Sequence, residues 1–104
     1  MKNISCKCNL GHIHQSRGEA GHCNGLQVQL KSGLIKDFKS QKALVIKIKG
    51  RTIGRHIPDF LITNLDGTQE IQEYKGKVTD IWKWKRALTE VCYPDIPYKV
   101  IWHK

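Results

Sequence analysis

The sequence predicts an α/β domain, and three observations carry that reading. Residues 57–77 alternate apolar and polar side chains around Asn64-Leu65-Asp66-Gly67, a tight-turn signal, so they read as a β-hairpin. Residues 16–32 and the stretch from Thr79 to Pro94 instead repeat their apolar positions every three to four residues, the period of a helix packed on one face. Residues 34–50 and 98–102 are rich in Val, Ile and aromatic side chains, which suits further strands. The order is helix, strand material, hairpin, helix, strand, all in one domain over residues 1–104.

Ahead of the first helix, residues 1–15 form an arm in which Cys6 and Cys8 lie two apart, as do His12 and His14, around Asn9-Leu10-Gly11. A short hairpin there sets Cys6 opposite His14 and Cys8 opposite His12, all on one face. Thiolates and imidazoles so grouped suit tetrahedral Zn²⁺, with Cys23, and less directly His22, as further candidates from the following helix. Such a zinc is structural, because four protein ligands leave no open position for chemistry. The alternative is a terminal arm with incidental thiols.

The first helix starts at Ser16, a candidate N-cap with Glu19 at the capping-box position, and stops at Ser32-Gly33. Its stripe is Ala20, Cys23, Leu26 or Gln27, and Leu30. Gly18, Gly21 and Gly25 weaken it by about 1 kcal/mol each relative to alanine, so packing must hold it. Glu19 is either the capping-box partner or a carboxylate turned toward the hairpin. Residues 34–50 give a long strand or a strand pair, with Leu44, Ile46 and Ile48 on a buried face and lysines on the other. Residues 49–54 read as a turn that leads to His56, which by alternation points away from Asp59.

In the hairpin, Ile71, Glu73 and Lys75 share a face, each about 6.5–7 Å from the next along the strand. One register brings Asp59 beside them. Two carboxylates supply hard oxygens for Mg²⁺, which takes one or two of them and keeps several waters. An adjacent lysine can orient a water for attack on phosphorus. The competing view is a solvated strand face.

The second helix has Thr79 as N-cap and Asp80 in its first turn. Its expected apolar stripe is Ile81, Trp84 or Lys85, Leu88, and Val91 with Cys92, which makes Trp84 a core residue. Arg86 and Glu90 form an (i, i+4) pair. Lys77, Lys83, Lys85 and Arg86 are the candidate phosphate contacts, against the plainer view that they are merely solvated. Pro94 ends the helix.

Eighteen Lys and Arg against nine Asp and Glu leave a formal charge of +9, which points to a polyanionic partner, most simply nucleic acid. No apolar run reaches the roughly 20 residues that span a membrane, and the first ten residues lack a hydrophobic signal core. A cytoplasmic location with reduced thiols is therefore expected.

Pro58-Asp59 followed by Glu73-Tyr74-Lys75 resembles the PD-(D/E)xK nuclease superfamily. With Ser16-x-x-Glu19-Ala20, Glu73-x-Lys75-Gly76 and the cationic helix closing in Tyr93-Pro94-Asp95-Ile96, the chain is similar to small phage endonuclease I-like proteins related to Holliday junction resolvases. The resemblance implies a restriction-endonuclease-like αβββαβ core, a mixed sheet flanked by helices. It implies Mg²⁺ (or Mn²⁺) held by Asp59, Glu73 and the Tyr74 carbonyl, with Lys75 orienting water and Glu19 completing the site. It further implies an endonuclease for branched DNA, a homodimer, and a phage protein acting inside a bacterial host. The alternative is a catalytically inactive, zinc-containing nucleic-acid-binding or adaptor protein.

Overall fold

The computed structural model describes residues 6–7, 13–14 and 17–102, with side chains from residue 18 onward. The elements are β1 (Cys6–Lys7), β2 (Ile13–His14), α1 (Arg17–Lys31), β3 (Asp37–Ser40), β4 (Leu44–Ile48), β5 (Arg51–His56), β6 (Phe60–Thr63), β7 (Gln69–Lys75), α2 (Asp80–Cys92) and β8 (Tyr98–Trp102). The fold is α/β, as expected. A four-stranded mixed sheet runs β3-β6-β7-β8, antiparallel except for the parallel last pair, which α2 connects.

Two apolar layers follow from the strand alternation. Phe38, Phe60 and Ile62 face α1 and pack with its Ala20, Cys23 and Leu26. Leu61 and Ile71 face the other way and pack with Leu44, under Tyr93, Ile96 and Tyr98. The stripe expected on α1 is thus largely its buried face, although Leu30 is exposed. Gly18 has a packing reason: a Cβ there would collide with the Tyr74 ring. Ser16 lies outside the described residues, so the capping box does too.

β4 and β5 pair only with each other. Residues 51–54, expected as part of a turn, are strand instead. The turn is confined to Lys49 and Gly50, whose φ of 51° and 77° give the two left-handed residues a type I′ hairpin needs. The central hairpin keeps the expected turn, with Gly67 at φ 88° and the Asn64 N–H donating to the Thr68 carbonyl at 2.7 Å.

α2 begins and ends where expected, with the Trp82 N–H donating to Thr79 Oγ1 at 3.2 Å. Its buried face is not the one expected. Trp82 and Thr89 are buried, whereas Ile81, Trp84 and Val91 are each about 70% exposed. Trp84 is therefore not a core residue: the indole of Trp82 takes the inward place because it alone has a buried acceptor, Glu73.

Of the arm, β1 and β2 pair antiparallel with Cys6 opposite His14, the expected register, and lie against α1. Cys8 and His12 lie outside the described residues. Cys23 is fully enclosed in the apolar layer under α1, and His22 is 2.6 Å from Gln72 on the sheet.

Candidate active site

β6 and β7 pair with Phe60 opposite Gln72 and Leu61 opposite Ile71, so Asp59, one residue before the last pair on β6, and Glu73, one residue beyond it on β7, flank the end of the ladder. Asp59 stands just before β6 begins, where the two strands diverge. Its Oδ2 accepts the Tyr74 backbone N–H at 2.8 Å, which locks the carboxylate against β7. Glu19, buried on the first turn of α1, meets Asp59 from the other side and shares a hydrogen bond with it. Glu19 thus meets the hairpin, as the second of its two expected roles requires, while the capping-box role rests on Ser16, outside the described residues.

Burial, then the nearby charge of Glu19, push the Asp59 pKa up to about 7; the Tyr74 N–H works in the opposite direction. Burial and the neighbouring carboxylate of Glu19 thus favour retention of a proton on Asp59, which a cation placed between the carboxylates would displace.

Glu73 is buried among donors. Trp82 Nε1–H donates to its Oε2 at 2.8 Å, and the Tyr98 hydroxyl donates to the same oxygen. His56 Nε2 lies 2.8 Å from the Tyr98 oxygen and 3.6 Å from Glu73 Oε2. Because the Tyr98 proton goes to Glu73, its oxygen must accept from His56, which fixes the Nε2–H tautomer. Lys75 Nζ is 3.7 Å from the other oxygen, Oε1. Burial opposes ionisation of Glu73, but the nearby N–H of His56, the hydrogen bonds from Tyr98 and Trp82 and the charge of Lys75 outweigh it, so its pKa is lowered. Glu73 is a carboxylate with one oxygen filled and one turned toward Lys75.

These groups open on a cavity of about 550 Å³ lined by Asp59, Glu73, Lys75, Arg55, Trp82 and Lys85, among others. Asp59, Glu73 and Lys75 are thus brought together as the spacing predicts. His56 joins them, against the expectation that it points away from Asp59: it sits on β5, a strand of the other hairpin, so alternation along β6 does not govern it, and it turns inward toward Glu73. The roles of Trp82 and Tyr98 as donors to Glu73 are not foreshadowed by the spacing, which offers Trp82 only as a stacking surface beside the α2 cations. Tyr98 carried no usable signal, since its role depends on β8 lying parallel to β7 with Val100 opposite Glu73.

Of the candidate phosphate contacts, Lys77, Lys83 and Lys85 are exposed, and Lys85 lines the cavity. Arg86 is engaged within the protein. Its guanidinium lies 5.0 Å from the Tyr98 ring centroid and 5.6 Å from that of Trp82, and its Nε is 3.3 Å from Glu90.

Among the described residues, no three carboxylate, imidazole or thiol groups are drawn tightly enough together to encircle an ion. Mg²⁺ needs no such cage, since one or two carboxylates and retained waters suffice. Asp59 and Glu73, both on the cavity wall, offer hard oxygens of the kind that ion takes, and the crowding of Glu19 and Asp59 is the electrostatic condition a cation relieves.

Residues 7–104 match the family DUF1064, a protein of unknown function, and the chain belongs to that family. No curated protein and no solved structure matches it.

Proposed function

We propose that this member of a family of unknown function is a metal-dependent DNA endonuclease with a restriction-endonuclease-like core. The single observation that carries the reading is the meeting of Asp59, Glu73 and Lys75 at the rim of one cavity in a basic domain. The strand order β3-β6-β7-β8, entered from α1 and closed through α2, supports an αβββαβ core with β4 and β5 inserted after its first strand.

In this reading Asp59, Glu73 and the Tyr74 carbonyl would hold Mg²⁺ or Mn²⁺, which would supply Lewis-acid chemistry for phosphodiester hydrolysis. Lys75 orients the attacking water and donates to the phosphate oxygen on which charge develops. Glu73 is kept ionised by Trp82, Tyr98 and Lys75, so it need not lose a proton before it can act. Glu19 holds Asp59 in place and shares its proton until the site is charged. Lys85, with Lys77 and Lys83 nearby in sequence, neutralises flanking phosphates.

Branched DNA of the Holliday junction type is the proposed substrate. Symmetric resolution of a four-way junction needs two active sites, hence a homodimer, which sedimentation would reveal. In the arm, the Cys6–His14 register supports a structural zinc held by Cys6, Cys8, His12 and His14. Enclosure in the core leaves Cys23 the weakest of the candidates. Metal analysis of the folded protein then finds about one equivalent of zinc per chain.

The test is incubation with a labelled four-way junction and a plain duplex in Mg²⁺ and in Mn²⁺. Cleavage that EDTA abolishes and that prefers the junction is expected. Salt-sensitive binding with no cleavage in any divalent metal would favour the inactive adaptor instead.

A further inference from the structure

We propose that the hairpin of β4 and β5 is a DNA-binding arm that grips duplex to one side of the cleavage site. The identity of the ligand rests on the nuclease reading, but the arm is tested separately from it. Between Phe38 and Pro58 the chain carries Lys39, Lys42, Lys47, Lys49, Arg51 and Arg55 and no acidic residue. All six are exposed. Elsewhere Lys75, Arg86 and Lys99 each have a carboxylate within 4 Å, yet among the described residues none of these six does. Four of the six, Lys47, Lys49, Arg51 and Arg55, belong to the ribbon, while Lys39 is on β3 and Lys42 in the loop that leads to β4; uncompensated cations so placed favour the approach of a polyanion.

The arm's shape suits a double helix. Leu44 and Ile46 turn one face of the ribbon inward, while Val45 and Lys47, with their cross-strand partners Arg55 and Thr52, present the other to solvent. A two-stranded β-ribbon fits the major groove of B-DNA, with long cationic side chains reaching phosphates. The segment contains no Phe, Tyr or Trp between Leu44 and His56. It therefore lacks the stacking platforms with which proteins hold single strands.

The arm is also stiff and aimed. Tyr93 Oη–H donates to the Val45 carbonyl at 2.8 Å and Cys92 Sγ–H to the Lys47 carbonyl at 3.3 Å, which tie β4 to the C-terminal end of α2. The N-terminal end of α2 lines the cavity, as does Arg55. The ribbon therefore leaves the cavity at Arg55 and runs beside α2. From Arg55 to the tip at Gly50 is about 16 Å at strand rise, or roughly five base pairs at 3.4 Å each.

The experiment is fluorescence anisotropy of a labelled 30-base-pair duplex in EDTA over a salt series, with folding of each variant checked by circular dichroism. Lys47→Ala/Arg51→Ala is compared with Lys31→Ala/Lys36→Ala. The control pair is exposed, and the Lys36 backbone N–H, which donates to the Thr63 carbonyl, places that residue at the end of β6 remote from Asp59. The arm variant binds about tenfold more weakly near 100 mM salt and loses about 2 from its log–log salt slope, whereas the control changes less than about twofold. An arm variant indistinguishable from the control overturns the inference. So does an equal loss on the single strand, or displacement of duplex by polyglutamate at matched charge. Native protein that binds duplex through the arm but cuts nothing in any divalent metal defeats the nuclease reading alone. Native protein that cuts, with an arm variant that binds normally, defeats the arm alone.

Discussion

At the residue scale, Asp59 is held in a state that is worse for the fold than for the chemistry. Its pKa rises on folding from 3.8 to about 7, so the folded protein binds the extra proton between those values. The Asp59 contribution to stability is therefore full below about pH 4 and is lost as pH rises toward 7. Asp59→Asn keeps an oxygen for the Tyr74 N–H and offers Glu19 a neutral donor. It should stabilise the metal-free protein at pH 8 by about 1–3 kcal/mol, raising Tm by several degrees in a thermal melt, while cleavage is lost. Cleavage by the native protein should climb as pH passes through about 7, since only ionised Asp59 binds a cation. A flat pH–rate profile from 6 to 8 would contradict that. Tyr98→Phe removes one donor from Glu73 and its link to His56, and should lower metal affinity about 10- to 100-fold, as calorimetric titration would show.

At the scale of elements, α2 shows which part of a pattern is informative. Trp84→Ser should change stability by less than about 0.5 kcal/mol, because the indole is exposed. Trp82→Ala should cost about 3–5 kcal/mol, because it empties a buried site and strips a donor from Glu73. Denaturant melts separate the two. The start, end and cap of this helix were legible from Thr79, Asp80 and Pro94, since capping chemistry is local. Its inward face was not, because Ile81, Trp84, Leu88 and Val91 have the right spacing and only a tertiary partner distinguishes them from Trp82 and Thr89. The strands and turn of the central hairpin were legible from alternation and Asn64 to Gly67, whereas its register was open and is fixed by the pairing of Phe60 with Gln72. β5 was misread because Gly50 and Gly54 both look like turn residues, and only Gly50 adopts positive φ.

At the scale of the whole molecule, one sheet carries both the apolar layers and the candidate site. Its two faces are covered by α1 and by α2 with the β4–β5 ribbon, and the acidic groups collect where β6 and β7 diverge. That point lies beside the base of a basic ribbon, so the charge of +9 is not a uniform coat. The site's first two carboxylates and its lysine could be read from spacing because one hairpin carries them. The network of His56, Trp82 and Tyr98 could not, since β5, α2 and β8 meet only in three dimensions. The central claim is that Asp59, Glu73 and Lys75 act together to cut DNA. Single-turnover cleavage of a four-way junction in Mg²⁺, comparing the native protein with Lys75→Ala, tests it most directly. A rate at least about 100-fold lower in the variant, at saturating protein, is predicted. Equal rates, or no cleavage by the native protein, would contradict it.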